Sequence, residues 1–196
     1  MGSGKSTVAH LLRQMGFEVL DADAVARKVL GPGTAGEREV LRTFGGQLQK
    51  RGGRLDRRAL GRLVFGDRVK LAKLEAIIHP LVRAEVTEHK NRLAARAVPA
   101  AFYDVPLLFE KNMRDQFDLV LVVSAAMDQR VTRLKTRSQL TDEEIEERTA
   151  HHLPAEVKEA AASAVIRNDA GLPELEVNLR RVLLALKIPQ PLTSRG

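Results

Sequence analysis

The chain opens on residues that could bind a phosphate group, GSGKST at positions 2–7. Gly2 and Gly4 let backbone N–H groups turn toward an anion, and the N-terminus of the helix that follows adds its positive end. The Lys5 ammonium can reach the terminal phosphates of a nucleotide, and the Ser6 hydroxyl can coordinate Mg²⁺. The run matches the end of the G-x-x-x-x-G-K-[ST] phosphate-binding loop. The predicted nucleotide-binding set is therefore Gly2, Ser3, Gly4, Lys5, Ser6 and Thr7.

The alternative is a flexible Gly-Ser linker ahead of the folded protein. Against it, KST runs directly into an amphipathic helix, and a strand ending in DAD (21–23) follows shortly after. A phosphate-binding loop needs that helix, whereas a linker does not.

Two acidic residues form a second candidate for chemistry. Asp21 and Asp23 end the short predicted strand FEVL (17–20), and the C-terminal ends of parallel strands face the ligand crevice of an open sheet. A carboxylate there can support a metal ion or accept the proton of an attacking hydroxyl. We assign Asp23 to catalysis and Asp21 to metal or structural support. The alternative for one of them is the N-cap of the helix beginning near Ala24.

The remaining singular residues are open to two interpretations. His79 precedes Pro80 in IIHPLVR, and a lone histidine beside apolar residues is more often structural, here as a cap at a helix break. The basic residues of 130–148 could form a solvated helix face. They could instead close over a triphosphate and stabilise charge during phosphoryl transfer.

These residues need a sheet and helices to position them. The apolar pattern predicts a helix over 7–15, strands over 17–20, 100–109, 117–125 and 164–166, and a terminal helix over 175–186. The alternation indicates an α/β protein, with a parallel sheet and helices on both faces. A charged helical pattern over 37–96 predicts a lobe inserted between two strands. Paired glycines within 44–56 mark turns, and a small hairpin is one interpretation.

Composition narrows the function classes. The 196 residues carry a net charge of +7 and contain no cysteine, which excludes disulfides and thiolate metal sites. No apolar run approaches the roughly 20 residues of a membrane span. A basic surplus suits phosphorylated ligands or nucleic acid. With only 4% aromatic residues, a base-stacking surface for single strands is disfavoured.

Read in order, the motifs resemble the dephospho-coenzyme A kinase family over nearly the whole chain, from Gly2 to about Leu186. They are GSGKST, VLDADAVARKV, IIHPLV, DVPLLFE, KTRSQLT and VIRND. The resemblance implies transfer of the ATP γ-phosphate, with Mg²⁺, to the ribose 3′-hydroxyl of dephospho-CoA, the last step of coenzyme A synthesis. We expect a cytoplasmic monomer or weak homo-oligomer, with no nucleic-acid or membrane partner.

The resemblance also implies a P-loop NTPase fold like that of nucleoside monophosphate kinases. Its core would comprise 1–30, 98–126 and 156–188, with a helical substrate lobe over 31–97 and a lid over 127–155. Carried over residue by residue, it makes Asp23 the base for the 3′-hydroxyl, Lys5 and Arg137 catalytic, and Ser6 and Asp21 the metal side. It places Asn168 near the adenine of ATP. The implied substrate residues are Asp23, Arg27, His79, Arg83, Leu107, Leu108 and Glu110.

The chain departs from the family pattern at several positions. Arg167 stands where an Asp is usual, His152 where a Gln is common, and Ser138 where an acidic residue is usual. The family pattern also begins before Met1, so we expect that the first and central strand is missing and that the natural chain is about a dozen residues longer. A stop codon directly upstream of Met1 would refute this. Alternatives to the kinase of dephospho-CoA are a P-loop kinase for a nucleoside monophosphate or a sugar, and a basic nucleic-acid-binding module.

Overall fold

The computed structural model describes residues 1–50, 52–138, 141–150 and 152–191. Within the helices, the side chains at 137, 138, 148 and 150 are outside the description. The chain forms two compact units. The first unit comprises Met1–Val19 and the chain from Pro99 onward, and the second comprises Leu20–Val98. The predicted lobe over 31–97 lies inside the second unit, which also takes in residues 20–30.

Helices and short strands alternate over the described residues. The helices are α1 (Lys5–Gln14), α2 (Ala22–Val29), α3 (Ala35–Phe44), α4 (Arg57–Val64), α5 (Arg68–Ala95), α6 (Met127–Ser138), α7 (Asp142–Ala150), α8 (Ala155–Ala161) and α9 (Leu172–Ala185). The strands are β1 (Glu18–Asp21), β2 (Ala101–Asp104), β3 (Leu121–Ser124) and β4 (Ala164–Arg167). None of the described helices is both long enough and apolar enough to cross a membrane.

The described strands form two pairs, β1 with β2 and β3 with β4. The second pair is parallel, with Leu121 opposite Ala164 and Ser124 opposite Arg167. The predicted α/β class with parallel strands is therefore confirmed. That a central strand is missing from the chain stays a prediction.

Two strands are shorter than predicted. Residues 117–120 lie outside β3. Phe117 N–H donates to the Arg114 carbonyl at 3.3 Å, and Val120 N–H donates to the Ser163 hydroxyl at 3.0 Å, a side-chain acceptor that does not extend a strand. After Asp104 the chain turns, with Lys111 N–H donating to the Leu107 carbonyl at 3.0 Å. An apolar run indicates which residues are buried, but strand length depends on which backbone groups are hydrogen-bonded to a neighbouring strand.

The core of the first unit joins the first and last helices to β4. The buried residues of α1 follow helical spacing at Val8, Leu11 and Leu12, and α9 buries one leucine per turn. They meet around Ile166 of β4, which is fully buried. Fully burying such a side chain contributes about 1.5–3 kcal/mol, so this cluster holds the start of the chain against its end. The α9 residues concerned are Leu175, Leu179 and Leu183.

In the second unit, α5 packs against α2, α3 and α4. The sequence predicts a helix break at Pro80, and that prediction is wrong, because α5 runs through Pro80 without interruption. Proline removes one helical hydrogen bond, and the helices packed along α5 supply stability that offsets this loss. The packing of α2 on α5 also explains why residues 20–30 belong to this unit.

One buried carboxylate organises the loops of the second unit. Glu37 is only 5% exposed, and it accepts hydrogen bonds from Leu55 N–H at 2.9 Å and from Gly33 N–H at 2.6 Å. Residues 49 and 55 form an antiparallel bridge, so the second glycine pair, Gly52 and Gly53, lies within a small hairpin, whereas Gly45 and Gly46 lie at the start of a 3-10 helix. The hydrogen bonds from Leu55 and Gly33 outweigh the effect of burial and lower the pKa of the Glu37 carboxyl.

We predict that Glu37→Gln lowers the free energy of unfolding at pH 7 by about 1–3 kcal/mol, because an amide leaves one buried backbone donor without an acceptor. A lowered folded-state pKa means that the ionised group stabilises the fold above the ordinary glutamate pKa of about 4.3, and that this stabilisation is lost as the pH falls below it. Urea unfolding at pH 7 and at pH 3.5 should show the difference between wild type and variant shrinking in acid.

The matched control is Glu39→Gln, which removes a carboxylate from the same helix; among the described residues that carboxylate pairs with the exposed Arg42 alone. We expect its unfolding curve to follow the wild type. A Glu37→Gln protein as stable as the control at pH 7 would contradict a structural role for the buried carboxylate.

Candidate active site

The phosphate-binding loop of the first unit ends where α1 begins. Gly4 is the N-cap of α1, with a left-handed φ of 97°, and its carbonyl accepts hydrogen bonds from Thr7 N–H at 2.9 Å and Val8 N–H at 3.0 Å. The first N–H groups of a helix have no partner within that helix, and the first turn of α1 has no acidic side chain. An anion at this end would meet free donors and the positive end of the helix dipole.

At two positions of the loop, neighbouring atoms leave no room for any side chain. A Cβ at Gly4 would lie 2.1 Å from Asn168 Nδ2. A Cβ at Gly2, whose φ is 74°, would lie 2.7 Å from the carbonyl oxygen of Arg130. Both distances are shorter than any carbon contact allows, and both backbones are left-handed, so glycine fits here on two grounds.

Asn168 fastens the loop from the opposite end of the chain. It is 7% exposed, and its Nδ2 donates to the Ser3 carbonyl at 2.7 Å. Its own backbone N–H donates to the Ser124 carbonyl at 2.8 Å, and its carbonyl accepts from Arg133 at 2.9 Å. The residue predicted to lie near adenine therefore supports the loop through its side chain.

Helix α6 contacts the loop as well. Arg130 Nε donates to the Met1 carbonyl at 2.9 Å, and Arg133 reaches Asn168 as described. Two arginines of the predicted lid thus bind backbone carbonyls within the first unit, which neither interpretation of the basic run predicts.

Lys5 is held by a residue that the sequence analysis did not single out. Its Nζ donates to Oδ1 of Asp104, the last residue of β2. The Lys5 side chain is 45% exposed and that of Asp104 only 12%, so the lysine remains accessible while its counter-ion is largely buried. Asp104 lies inside the quoted motif DVPLLFE. The signal that could have found it is a carboxylate at the C-terminal end of an apolar strand, the place where ligands bind in such sheets.

The other first-unit residues implied by the resemblance lie beyond β2 and on the predicted lid. Leu107 and Leu108 are half-buried in the turn after β2. Glu110 is engaged by an ion pair with Lys158, Nζ to Oε1, at 2.5 Å. Arg137 belongs to α6 by its backbone, and its side chain lies outside the described residues, as does that of Ser138.

The second unit carries the predicted acceptor-side residues. Asp21 is the N-cap of α2, accepting from Ala24 N–H at 3.0 Å, so the capping alternative is confirmed for this residue. Asp23 lies in the first turn of α2 and is exposed. Arg27, with a side chain 60% exposed, has Nη2 4.0 Å from Asp21 Oδ2, a distance at which an exposed pair contributes little to stability.

His79 and Arg83 lie on α5 within the same unit. His79 is half exposed, with Nε2 3.8 Å from Glu75 Oε1 one turn earlier. Arg83 is exposed and lines a shallow groove along the helix. The other residues of that groove are Pro80, Ala84, Thr87, Glu88 and Asn91.

The chain has many known relatives. The family model CoaE, dephospho-CoA kinase, matches residues 1–174. The chain belongs to the dephospho-CoA kinase family. A dephospho-CoA kinase of Anaeromyxobacter dehalogenans is 46% identical, over 89% of this chain and 82% of the relative. One of Thermus thermophilus is 44% identical, over 95% of this chain and 88% of the relative.

Solved structures agree with this family and fold. A crystal structure of a protein from Thermus thermophilus has a TM-score of 0.81 and 43% identity, covering 95% of this chain and 93% of the other. A structure of dephospho-CoA kinase from Campylobacter jejuni has a TM-score of 0.71 and 25% identity, covering 95% and 92%. The family and α/β fold implied by the motif order are thereby confirmed.

The described residues fit a magnesium ion of the kind that binds with a nucleotide. Among them, no group of three or more His, Asp or Glu side chains is arranged to hold a metal ion. Mg²⁺ is commonly bound through one or two protein oxygens together with substrate phosphates and water. The Ser6 hydroxyl at the start of α1 and the Asp104 carboxylate beside Lys5 are oxygens of that kind.

We predict that Gly4→Ala weakens ATP binding by about tenfold or more, since a left-handed alanine against Asn168 must displace the loop. Calorimetric titration of ATP measures the affinity. Gly61→Ala is the matched control, because Gly61 lies inside α4 with nothing within 4 Å of its Cβ position. The control should bind ATP like wild type. Equal affinity of both variants would contradict the described loop geometry.

Proposed function

We propose that the chain transfers the γ-phosphoryl group of ATP to the ribose 3′-hydroxyl of dephospho-CoA, giving coenzyme A. The observation that carries the proposal is the phosphate-binding loop at the start of α1, braced by Asn168 and bearing the Lys5–Asp104 pair, in a member of the dephospho-CoA kinase family. We further propose that it acts in the cytoplasm as a monomer or weak homo-oligomer, without nucleic acid.

On the ATP side, we assign phosphate binding to the loop Gly2–Thr7. Because Lys5 is accessible, a phosphate oxygen can compete with Asp104 for its ammonium group. Asn168 would support this site by holding the Ser3 carbonyl. Arg137 is assigned to stabilising charge on the transferring group, where an arginine is most effective.

Magnesium would be held on the protein side by the Ser6 hydroxyl and by the carboxylates of Asp21 and Asp104. When bound, it neutralises charge on the phosphates. Because Asp21 Oδ1 already caps α2, its other carboxylate oxygen is the one we assign to this role.

On the acceptor side, we assign Asp23 as the general base. It would accept the proton of the 3′-hydroxyl as that oxygen attacks the γ-phosphorus, while the bond to the bridging oxygen breaks and ADP leaves. Its exposed place at the first turn of α2 supports this role. Arg27, His79, Arg83 and Leu107 are the further residues proposed for the substrate.

The substrate class is tested by coupling ADP release to a detectable reaction with a panel of acceptors. We expect ADP release with dephospho-CoA, and none above background with CMP or gluconate. Turnover of CMP or gluconate in place of dephospho-CoA would replace the proposal by another small-molecule kinase. Salt-dependent DNA binding without ATPase activity would replace it by a nucleic-acid-binding module.

We predict that Lys5→Ala abolishes turnover, because the cation that meets the phosphates is removed. Steady-state ADP release measures this, with circular dichroism to verify the fold. Turnover at the wild-type rate would contradict the assignment of the loop.

We predict that Asp23→Asn lowers kcat by about 10²-fold or more, the typical contribution of a general base, with a much smaller change in ATP affinity. The control is Glu174→Gln, which likewise removes an exposed carboxylate from the first turn of a helix, here α9. Its kcat should equal that of wild type. Unchanged kcat in Asp23→Asn would remove Asp23 from the mechanism.

A further inference from the structure

Three nitrogen atoms surround one oxygen of Glu110. Oε1 lies 2.5 Å from Lys158 Nζ, 3.1 Å from Leu153 N and 3.4 Å from His152 Nδ1. The Glu110 side chain is 14% exposed, and those of His152 and Lys158 are 23% and 20% exposed. The group is therefore a largely desolvated cluster rather than a surface ion pair.

All three nitrogen atoms come from one short stretch of chain. His152 and Leu153 lie between α7 and α8, and Lys158 lies within α8, one helical turn from its start. Glu110 is in the turn that follows β2. A single carboxylate thus binds the Leu153 backbone and the Lys158 ammonium group, beside the His152 imidazole. We call residues 152–158 the return segment.

The charges of the cluster match this arrangement. Burial opposes ionisation of Glu110, but the hydrogen bonds from Lys158 and Leu153 outweigh it and lower the pKa of the carboxyl. Burial, followed by the nearby Lys158 charge, lowers the pKa of His152. At neutral pH the cluster accordingly holds one anion, one cation and an uncharged imidazole, which can still donate through Nδ1–H.

Glu110 differs in this respect from the exposed residues assigned to substrate. Oε1 is engaged by Lys158 and Leu153, and Oε2 is buried with no hydrogen-bond partner among the described residues. A largely buried carboxylate that is paired with the protein through one oxygen is suited to fixing chain geometry. The return segment is also where the chain leaves α6 and α7, whose residues 127–150 make up most of the predicted lid.

We propose that Glu110 is a positioning residue for phosphoryl transfer, which anchors the return segment through Lys158, Leu153 and His152 and so fixes the end of the lid. The proposal rests on the proposed function of the preceding subsection. In this proposal Glu110 does not make the substrate contact that the resemblance implies, but holds the end of the lid in place. A fixed lid end would keep Arg137, which is assigned above to the transferring group, in place, and this would affect the rate of transfer more than the binding of dephospho-CoA.

The experiment compares Glu110→Gln, Lys158→Met and the double variant by steady-state kinetics. We expect each single variant to lower kcat by about tenfold with a KM for dephospho-CoA within about twofold of wild type. The double variant should be no slower than the slower single variant, because both changes remove the same ion pair. It also leaves no unpaired buried charge, so it keeps the test valid if a single variant folds poorly.

His152→Gln is the conservative control, because a glutamine amide can donate to Oε1 in place of the imidazole; its kcat should stay within about twofold of wild type. A raised KM for dephospho-CoA at unchanged kcat in Glu110→Gln would overturn the proposal in favour of a substrate contact. Losses that multiply in the double variant would overturn it as well, since the two residues would then act separately.

Hydrogen exchange of the Leu153 amide, measured without substrates, separates this proposal from the proposed function. We expect faster exchange in Lys158→Met and in Glu110→Gln than in wild type. If the wild type phosphorylates dephospho-CoA while exchange and kcat are unchanged in both variants, the anchor is refuted and the proposed function stands. If exchange rises but the wild type does not phosphorylate dephospho-CoA, the proposed function fails and the positioning role in that reaction fails with it.

Discussion

The phosphate-binding loop depends on the contact between Gly4 and Asn168. The left-handed backbone at Gly4 turns the chain into α1, and the side chain of Asn168 occupies the space that any other residue at position 4 would need. The same amide holds the Ser3 carbonyl, so one side chain fixes both the shape and the placement of the turn. Preorganised N–H donors bind an anion better than donors that must first be ordered, because the cost of ordering is met during folding.

That contact joins residues from opposite ends of the chain, and the core of the first unit explains how it forms. Helix α1 packs against α9 around Ile166 of β4, and Asn168 follows β4 directly. The residue that braces the loop therefore stands two positions beyond the fully buried Ile166. Parallel pairing of β4 with β3 then places the Asn168 N–H on the Ser124 carbonyl at 2.8 Å.

Some of these features could be predicted from the sequence, and others could not, for physical reasons. The loop and α1 could be predicted because the glycines, the lysine and the helix are contiguous in the chain. Asp104 was missed because its role arises only when β2 comes beside α1, and the two residues of that ion pair are 99 positions apart. For Glu110 the motif indicated importance, but a residue type does not reveal its partners. The break predicted at Pro80 failed because packing of neighbouring helices on α5 overrides a local preference.

Arg167, where the family usually has an Asp, lies next to Asn168, the residue that braces the phosphate-binding loop. Arg167 pairs with Glu159 through both ends of its guanidinium, Nη1 to Oε1 at 3.1 Å and Nη2 to Oε2 at 2.7 Å, and the Ser124 hydroxyl donates to the same carboxylate. An aspartate at position 167 would place a second negative charge beside Glu159. The arginine instead pairs with Glu159 of α8, so it needs no partner from the nucleotide. The Asn168 amide points instead to Ser3. Because successive side chains at a strand end point in different directions, the charge at 167 can change while the brace on the phosphate-binding loop is retained.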